Sequence, residues 1–437
     1  MLGIPLKYNL RHLVVRWVAT VMTALGIALP TGVFCAVLAL NKGLETALKQ
    51  TGRPDTVVFL RKNALSETNS SVSREDATKI EALSDVAREG DRSVASREVI
   101  VLLNLPRIGG GGNSNVAIRG TTARGRALRP EVQLVEGQWP GDGLSEVVVA
   151  RGIANRFENC QLGSRLPLGK RDWRVVGIFD AGATAYGSEI WGDAETLAGA
   201  FLRDAWSAVW VKAKPSEVKS AEQWIAAGKL KPSMTGPDEP AEELLQVKED
   251  DDMKSLNLVE ESLVSESALE LLKAPKKITE IATLEAMTEV DYFRKQTELG
   301  SPIAGIGSFI ALVMAVGAAF AVMNTMYAAI ASRSREIAVL RAIGYPRRAV
   351  MASFLVESVI LALVGGLLGA LASLAVNGIS TGTTNFATFS ELTFAFRVTP
   401  EVLGKGCMFG GFLGVLGGLL PAYRASRTPI LQAMRAI

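Results

Sequence analysis

Four stretches of this chain are almost empty of charge, and they constrain everything else it can do. Trp17 to Leu40 is an unbroken run of 24 uncharged residues. Pro302 to Ser332 is a second, Ala349 to Val376 a third interrupted only by Glu357, and Gly406 to Tyr423 a fourth. A helix needs about 20 apolar residues to cross roughly 30 Å of hydrocarbon. A helix buried in a water-soluble core would carry a polar stripe at helical period, which these stretches lack. The expectation is an α-helical membrane protein with four transmembrane helices in a one-plus-three layout, at 17–40, 302–332, 349–377 and 406–423. A cleaved signal peptide is the competing reading of the first stretch. Its apolar run is long for that, no A-x-A site follows, and the bulky Phe34 precedes Cys35 where a lipoprotein box would not have it. The stretch is read as an anchor.

Basic residues beside the spans give the orientation. Lys7, Arg11 and Arg16 precede the first; Arg333, Arg335, Arg341, Arg347 and Arg348 lie between the second and third against Glu336 alone; Arg424, Arg427 and Arg435 follow the fourth. The 378–405 connection carries Arg397 and Lys405 balanced by Glu391 and Glu401. The segment 1–16, the loop 333–348 and the tail 424–437 are therefore expected in the cytoplasm, with 41–301 and 378–405 on the extracytoplasmic side.

Residues 41–301 are long enough for a packed core, and with Cys160 alone among them no intrachain disulfide can hold that core together. Strand-like runs fall at 55–62, 97–104, 116–120, 146–150, 173–180 and 207–213. Ser73-Arg-Glu-Asp76 has the form of a helix start, with the helix running to about Ala87; 192–203 and 216–227 read as further helices, and 276–299 as a helical approach to the second span. The alternation argues for a large α/β or α+β extracytoplasmic domain inserted between helices one and two. The glycine-rich 108–115 lacks the strand-turn-helix context of a dinucleotide fingerprint and reads as a hairpin tip. Gly163–Lys170 has the wrong spacing for a phosphate loop, with Arg171 where Ser or Thr would meet magnesium. One histidine, His12, and three cysteines exclude the usual His/Cys metal centres, so no catalytic or metal-ligating residue is assigned. Twelve acids against Lys248 and Lys254 make 237–270 strongly negative; a solvated insertion is the plain reading, a docking tail for a cation or basic peptide the alternative.

Between spans two and three, Ile337, Leu340, Ala342 and Ile343 fall near one helical face, with Arg333, Glu336 and Arg341 off it. Gly344 and Pro346 then stop the helix. By physics alone this is a short amphipathic helix, lying passively on the inner membrane face or docking a cytoplasmic partner.

The stretch Ala318–Pro346 (AAFAVMNTMYAAIASRSREIAVLRAIGYP) and the ending Pro421–Arg435 (PAYRASRTPILQAMR) resemble the signature of MacB/FtsX-type ABC transporter permeases, of the DevC/MacB-like kind without an ATPase domain of their own. The motifs Asn324-Thr325-Met326, Arg335-Glu336-Ile337 and Leu340 to Gly344 carry the resemblance. Leu134–Trp139, Glu146–Phe157 and Trp173–Phe179 are similar to part of that family's periplasmic domain, whereas 237–270 has no counterpart in it. The resemblance implies a permease homodimer that is not itself an enzyme, working with a separate cytoplasmic ABC ATPase that supplies ATP and magnesium. Arg333, Arg335, Glu336, Leu340, Arg341 and Gly344 would then form the coupling helix. A periplasmic adaptor protein, an outer-membrane channel and membrane lipid are further expected partners; nucleic acid is not.

Gly365 and Gly369 in the third span, and Gly410, Gly414 and Gly418 in the fourth, have the spacing of close helix contacts, although glycine is also simply common in membrane helices. Glu357 is the one ionisable group within a span, either functional or paired with a nearby arginine. Three functions stay open: ATP-driven export or extraction of a peptide, lipid or lipoprotein; an FtsX-like regulator that activates a cell-wall hydrolase without transport; and a passive membrane-anchored adhesion or sensor module.

Overall fold

The computed structural model describes residues 15, 17–49, 51–169, 171–220, 223, 263–278, 281–299, 301–385 and 388–427. It divides into two compact units: one made of 1–44, 301–379 and 395–437, the other of 45–300 and 380–394.

The first unit is helical. Its elements are α1 (Trp17–Lys49), α2 (Ser301–Ser332), the short α3 (Ser334–Ala342), α4 (Arg347–Ser373) and α5 (Pro400–Ser426). Among the described residues, four helical segments are long and apolar enough to cross a membrane, at Thr20–Ala47, Phe309–Ser332, Arg347–Val376 and Pro400–Ser426. Three of these helices outrun the charge-free stretches: α4 begins with Arg347 and Arg348. α1 continues through Lys42 and Glu45 to Lys49. α5 begins at Pro400, with the Thr399 hydroxyl accepting from the Val402 amide; its first turns hold Glu401 and Lys405, an exposed i,i+4 pair at 2.6 Å. Charges are tolerated at a helix end, so the absence of charge marks only the middle of a span. Ile27, Val322, Phe354 and Leu413, one from each long helix, meet in a shared core.

The second unit is built on a ten-stranded mixed sheet. In chain order its strands are β1 (Thr56–Arg61), β2 (Ala95–Pro106), β3 (Asn113–Thr121), β4 (Gln133–Gly137), β5 (Glu146–Ala150), β6 (Arg165–Leu168), β7 (Arg171–Asp180), β8 (Glu189–Asp193), β9 (Ala208–Lys212) and β10 (Leu284–Thr288). They lie in the order β10-β1-β9-β2-β3-β8-β5-β7-β4, with β6 also on β7. The pairs β3–β8 and β5–β7 are parallel and the others antiparallel. β2 joins the two halves, because Ala95–Glu98 pair with β9 and Val99–Pro106 with β3. A mixed α/β domain between the first and second long helices is thus the architecture of this chain.

Several local expectations need correction. Ser73 does cap a helix, its hydroxyl accepting from the Asp76 amide, but the helix ends at Glu81, because Val86 leaves to bridge with Ala213. The helix expected over 192–203 spans Ala194–Ala200, since Gly192 is still in β8. Of 216–227, Val218–Ser220 pair as a strand with Leu263–Ser265, and 221, 222 and 224–227 lie outside the described residues. The approach to the second span is not one helix: Glu266–Lys277 is followed by β10 and then by Glu289–Leu299. Leu284 and Met287 are buried along β10, a pattern hidden by the charges around them. Of the glycine-rich 108–115, residues 108–112 form the β2–β3 turn, with Gly109, Gly110 and Gly112 at positive φ, and 113–115 already belong to β3. Most of the acidic stretch lies outside the described residues; within them, Glu270 pairs with Lys273 and Lys277.

Buried charge holds this second unit together. The Arg119 guanidinium on β3 donates to Glu67 (2.8 Å), Glu98 (2.5 Å) and Glu189 (2.7 Å), and Arg129 donates to Glu98 at 2.7 and 2.9 Å. Arg129 also stands 4.8 Å from the Tyr186 ring and 5.0 Å from that of Trp210. All five charged groups are buried. Removing charges from water costs several kcal/mol per ion unless partners surround them, and here each guanidinium is matched by carboxylates and aromatic faces. Burial alone would push the Glu98 carboxyl up; the Arg129 and Arg119 charges overcome that and hold it at about 2. Glu289 goes the other way, pushed by burial to about 8 while the Tyr186 hydroxyl donates to it at 2.6 Å. Burial also pushes the lone thiol of this unit, Cys160, to about 12.

Two predictions follow from these signs. A carboxyl held low stabilises the folded state above its ordinary range and loses that contribution on acidification, so the inserted domain should weaken as pH falls from about 4.5 towards 2. A carboxyl held high does the reverse, and stability falls as pH rises between its unfolded and folded values. Glu289→Gln should therefore match the parent near pH 4 and melt progressively higher than it as pH approaches 8. Thermal unfolding across that range checks both, and a constant difference between the two proteins would refute the Glu289 assignment.

Candidate functional site

The loop between α2 and α4 holds the residues singled out in the sequence. Arg333 is the N-cap of α3, and its carbonyl accepts from the Ile337 amide. Its side chain turns inward: Nη1 donates to Glu357 Oε2 at 2.9 Å and Nη2 to Oε1 at 3.0 Å. Both residues are buried. This is the two-pronged arrangement in which a planar guanidinium matches a carboxylate. Glu357 lies ten residues into α4, about 15 Å from its start at 1.5 Å per residue. The charge that interrupts the apolar middle of α4 is thus neutralised by the residue that begins the loop helix, and of the two readings open for Glu357 the structure shows the pair with an arginine.

α3 is anchored on one side and open on the other. Ile337 and Ala338 are buried, and Ile337 joins the cluster that includes Val350, Phe354, Ala422 and Ala425. Leu340 and Arg341 are half-buried, while Arg335, Glu336, Val339, Ala342 and Ile343 are exposed, Ile343 to 71%. The apolar side therefore differs from the expected one. Ala342 and Ile343 do not join Ile337, because they stand at the C-terminal end of a nine-residue helix, past the point where its packing ends. Gly344 stops the helix at φ +111°, a conformation that L side chains rarely adopt. Its amide donates to the Arg341 carbonyl and the Tyr345 amide to that of Leu340, closing the helix before α4 begins at Arg347.

The five span glycines all stand at helix crossings. A Cβ on Gly365 would lie 2.6 Å from the Ala24 carbonyl oxygen, and one on Gly369 would run into the backbone of Ala28. On α5, a Cβ on Gly410 would reach Gly366 at 2.7 Å, one on Gly414 the Ser358 carbonyl oxygen at 2.9 Å, and one on Gly418 the Ser358 side chain. The first two glycines let α1 approach α4, and the other three let α5 approach it. The Ser358 hydroxyl donates to the Gly414 carbonyl at 2.9 Å across that second contact. These contacts are within one chain.

Among the described residues no group of His, Cys, Asp and Glu is placed to hold a metal ion. The aromatic residues of the inserted domain do gather, around Tyr186, Trp191, Trp210 and Tyr292, but inside its core. Sequence reasoning missed this cluster because its members are scattered from 186 to 292 and no local spacing links them.

Comparison with known proteins agrees with this arrangement. Residues 308–430 match the FtsX-like permease C-terminal family and residues 20–227 the MacB-like periplasmic core domain. The chain belongs to the MacB/FtsX-type ABC transporter permeases. Among its relatives are two uncharacterized ABC transporter permeases of Bacillus subtilis. YknZ is 29% identical over 185 residues, covering 40% of this chain and 44% of the relative; YvrN is 29% identical over 209 residues, covering 47% of each. The macrolide export ATP-binding/permease protein MacB of Bordetella avium is 34% identical over 127 residues, 29% of this chain and 18% of that one. The chain thus spans less than half the length of these curated relatives. Similar solved structures include the extracellular domain of YknZ from Gram-positive bacteria (14% identity, TM-score 0.29, 39% of this chain and 87% of that one). The periplasmic region of MacB from Actinobacillus actinomycetemcomitans is another (12%, 0.33, 57% and 95%).

The buried pair can be tested by its asymmetry. Removing one partner strands a charge and costs about 3–5 kcal/mol, whereas replacing both with apolar groups is often neutral. Glu357→Leu should lower the thermal midpoint of the detergent-solubilised chain markedly, and Arg333→Met combined with Glu357→Leu should restore most of it. Equal losses in the single and double variants would mean that the pair is not formed.

Proposed function

We propose that this chain is the permease subunit of a transporter powered by a separate cytoplasmic ABC ATPase, in which ATP-driven movement of the loop helix is passed to the inserted domain. On this reading the chain acts as a homodimer in the inner membrane, with both termini and α3 in the cytoplasm and the inserted domain in the periplasm. The work done there is export or extraction of a peptide, lipid or lipoprotein, with an adaptor protein or outer-membrane channel as further partners. ATP and magnesium are bound by the ATPase, and this chain supplies the mechanical path.

The observation that carries the reading is the two-sidedness of α3. A helix meant only to cover a bilayer surface would turn its apolar residues one way and its charges the other. Here Ile337 and Ala338 are packed inward, Arg333 is bound to Glu357, and the open side mixes Val339 and Ile343 with Arg335 and Glu336. A mixed apolar and charged patch on a braced helix suits a protein groove better than a lipid surface. Because its base is pinned to α4 by two short hydrogen bonds, a push on α3 reaches the spans without first being absorbed as side-chain rearrangement.

Glu336→Lys or Arg341→Glu should reduce the amount of ATPase that co-purifies with the chain by about tenfold while membrane yield is unchanged. Undiminished co-purification in both would remove the assignment. For orientation, an alkaline phosphatase fusion after residue 200 should be active and one after residue 343 inactive; the opposite pattern would place α3 on the wrong side of the membrane to meet any ATPase.

A further inference from the structure

The chain passes between its two units four times, at 44/45, 300/301, 379/380 and 394/395. The first two passages belong to any domain inserted between two spans. The other two come from the connection between α4 and α5, whose middle is part of the inserted domain. There β11 (Ser380–Thr384) and β12 (Glu391–Ala395) pair as a hairpin.

The seat of this hairpin is specific. The Glu391 side chain is wholly buried and its carboxylate meets two guanidiniums, those of Arg107, at 2.5 Å, and Arg156. The Ser114 hydroxyl donates to the same carboxylate at 2.6 Å. Arg156 donates to the Thr393 hydroxyl at 2.9 Å, and the Thr393 amide donates to the Ser188 hydroxyl at 2.6 Å. At the other end of the hairpin, the Asn385 side-chain amide donates to Gln296 at 2.8 Å; Gln296 lies on the helix Glu289–Leu299, which ends two residues before α2 begins. Bare backbone makes room for the cluster. A Cβ on Gly382 would collide with the Glu391 carboxylate and the Arg156 guanidinium, and one on Gly152 would lie 3.3 Å from the Thr393 methyl group. Without Glu391, Arg107 and Arg156 would face each other as like charges, so the cluster holds only while the hairpin is seated.

We propose that this hairpin is a latch through which α4 and α5 hold the inserted domain, with Glu391, Arg107 and Arg156 as its positioning residues. A connection of this length without structure would be slack and would pass on no displacement of the helix ends. Pinned by buried charge, it gives α4 and α5 a direct line into the β2–β3 hairpin, through Arg107 and Ser114, and into the segment around Arg156. The latch rests on the ATP-driven reading above and names the route by which that motion reaches the domain.

The test is hydrogen exchange on the full chain in nanodiscs, first alone and then with the ATPase that co-purifies with it, with and without ATP and vanadate. In the chain alone, Glu391→Ala and Gly382→Val should each speed exchange across β11 and β12 by about tenfold or more, while β1 to β10 exchange as in the parent. A hairpin that stays as protected in both variants overturns the latch. With the ATPase, ATP should alter exchange around Arg107 and Arg156 in the parent. That response should be lost in both variants, although the ATPase still co-purifies and hydrolyses ATP. A response that persists in a variant whose hairpin has come loose also overturns the latch. Absence of any ATP response in the parent overturns the latch together with the reading it rests on, and shows itself before any substitution is made.

Discussion

Hydrocarbon admits an ionised carboxylate only when something neutralises it, and Glu357 shows how this chain meets that condition. Its partner is not another span residue but Arg333, which also caps the loop helix. A requirement of membrane solvation is thereby made into a fixed angle between α3 and α4. The loop is short, with a glycine stop at its far end and a buried Ile337 in its middle, so α3 has little freedom left apart from movement with the spans themselves. The close helix packing around it depends on the same economy of polar groups: where α4 meets α1 and α5, the absence of side chains at five glycines brings backbones together.

The inserted domain solves a related problem in a different solvent. It has one cysteine and no disulfide, so its cohesion comes from strand pairing, a core rich in tryptophan and tyrosine, and the Arg119 and Arg129 network. Three acids from separate elements converge on Arg119: Glu67 from a single helical turn, Glu98 from β2 and Glu189 from β8. Such a junction specifies a fold more strictly than apolar contact does, since any other register leaves a charge without a partner. β2 benefits directly, because Glu98 sits where that strand exchanges one neighbour for another.

Much of this was legible in the chain of residues and some was not, for physical reasons. Spans are written as missing charge, and six of the ten sheet strands as apolar runs long enough to see. β10 is hidden because its buried Leu284 and Met287 stand among acids, and the charge-free run from Gly406 starts six residues after α5 does because Glu401 and Lys405 stand exposed in its first turns. Arg333 looked like a surface charge of the loop; only the fold reveals that its guanidinium lies inside, since nothing local distinguishes it from Arg335. The hairpin at 380–395 leaves almost no trace, because its first strand is only Ser, Thr and Gly and the Glu391 and Thr393 of its second are bound by partners more than 200 residues away.

The sheltered thiols have a practical consequence. Cys35 and Cys160 are buried and Cys407 is half-buried, and Cys160, far from ionised at neutral pH, is a poor nucleophile. A spectroscopic probe attached at an engineered surface cysteine would therefore meet little competition from the native inserted domain, and distances between two such probes could be followed through a reaction cycle without first rebuilding that domain's interior.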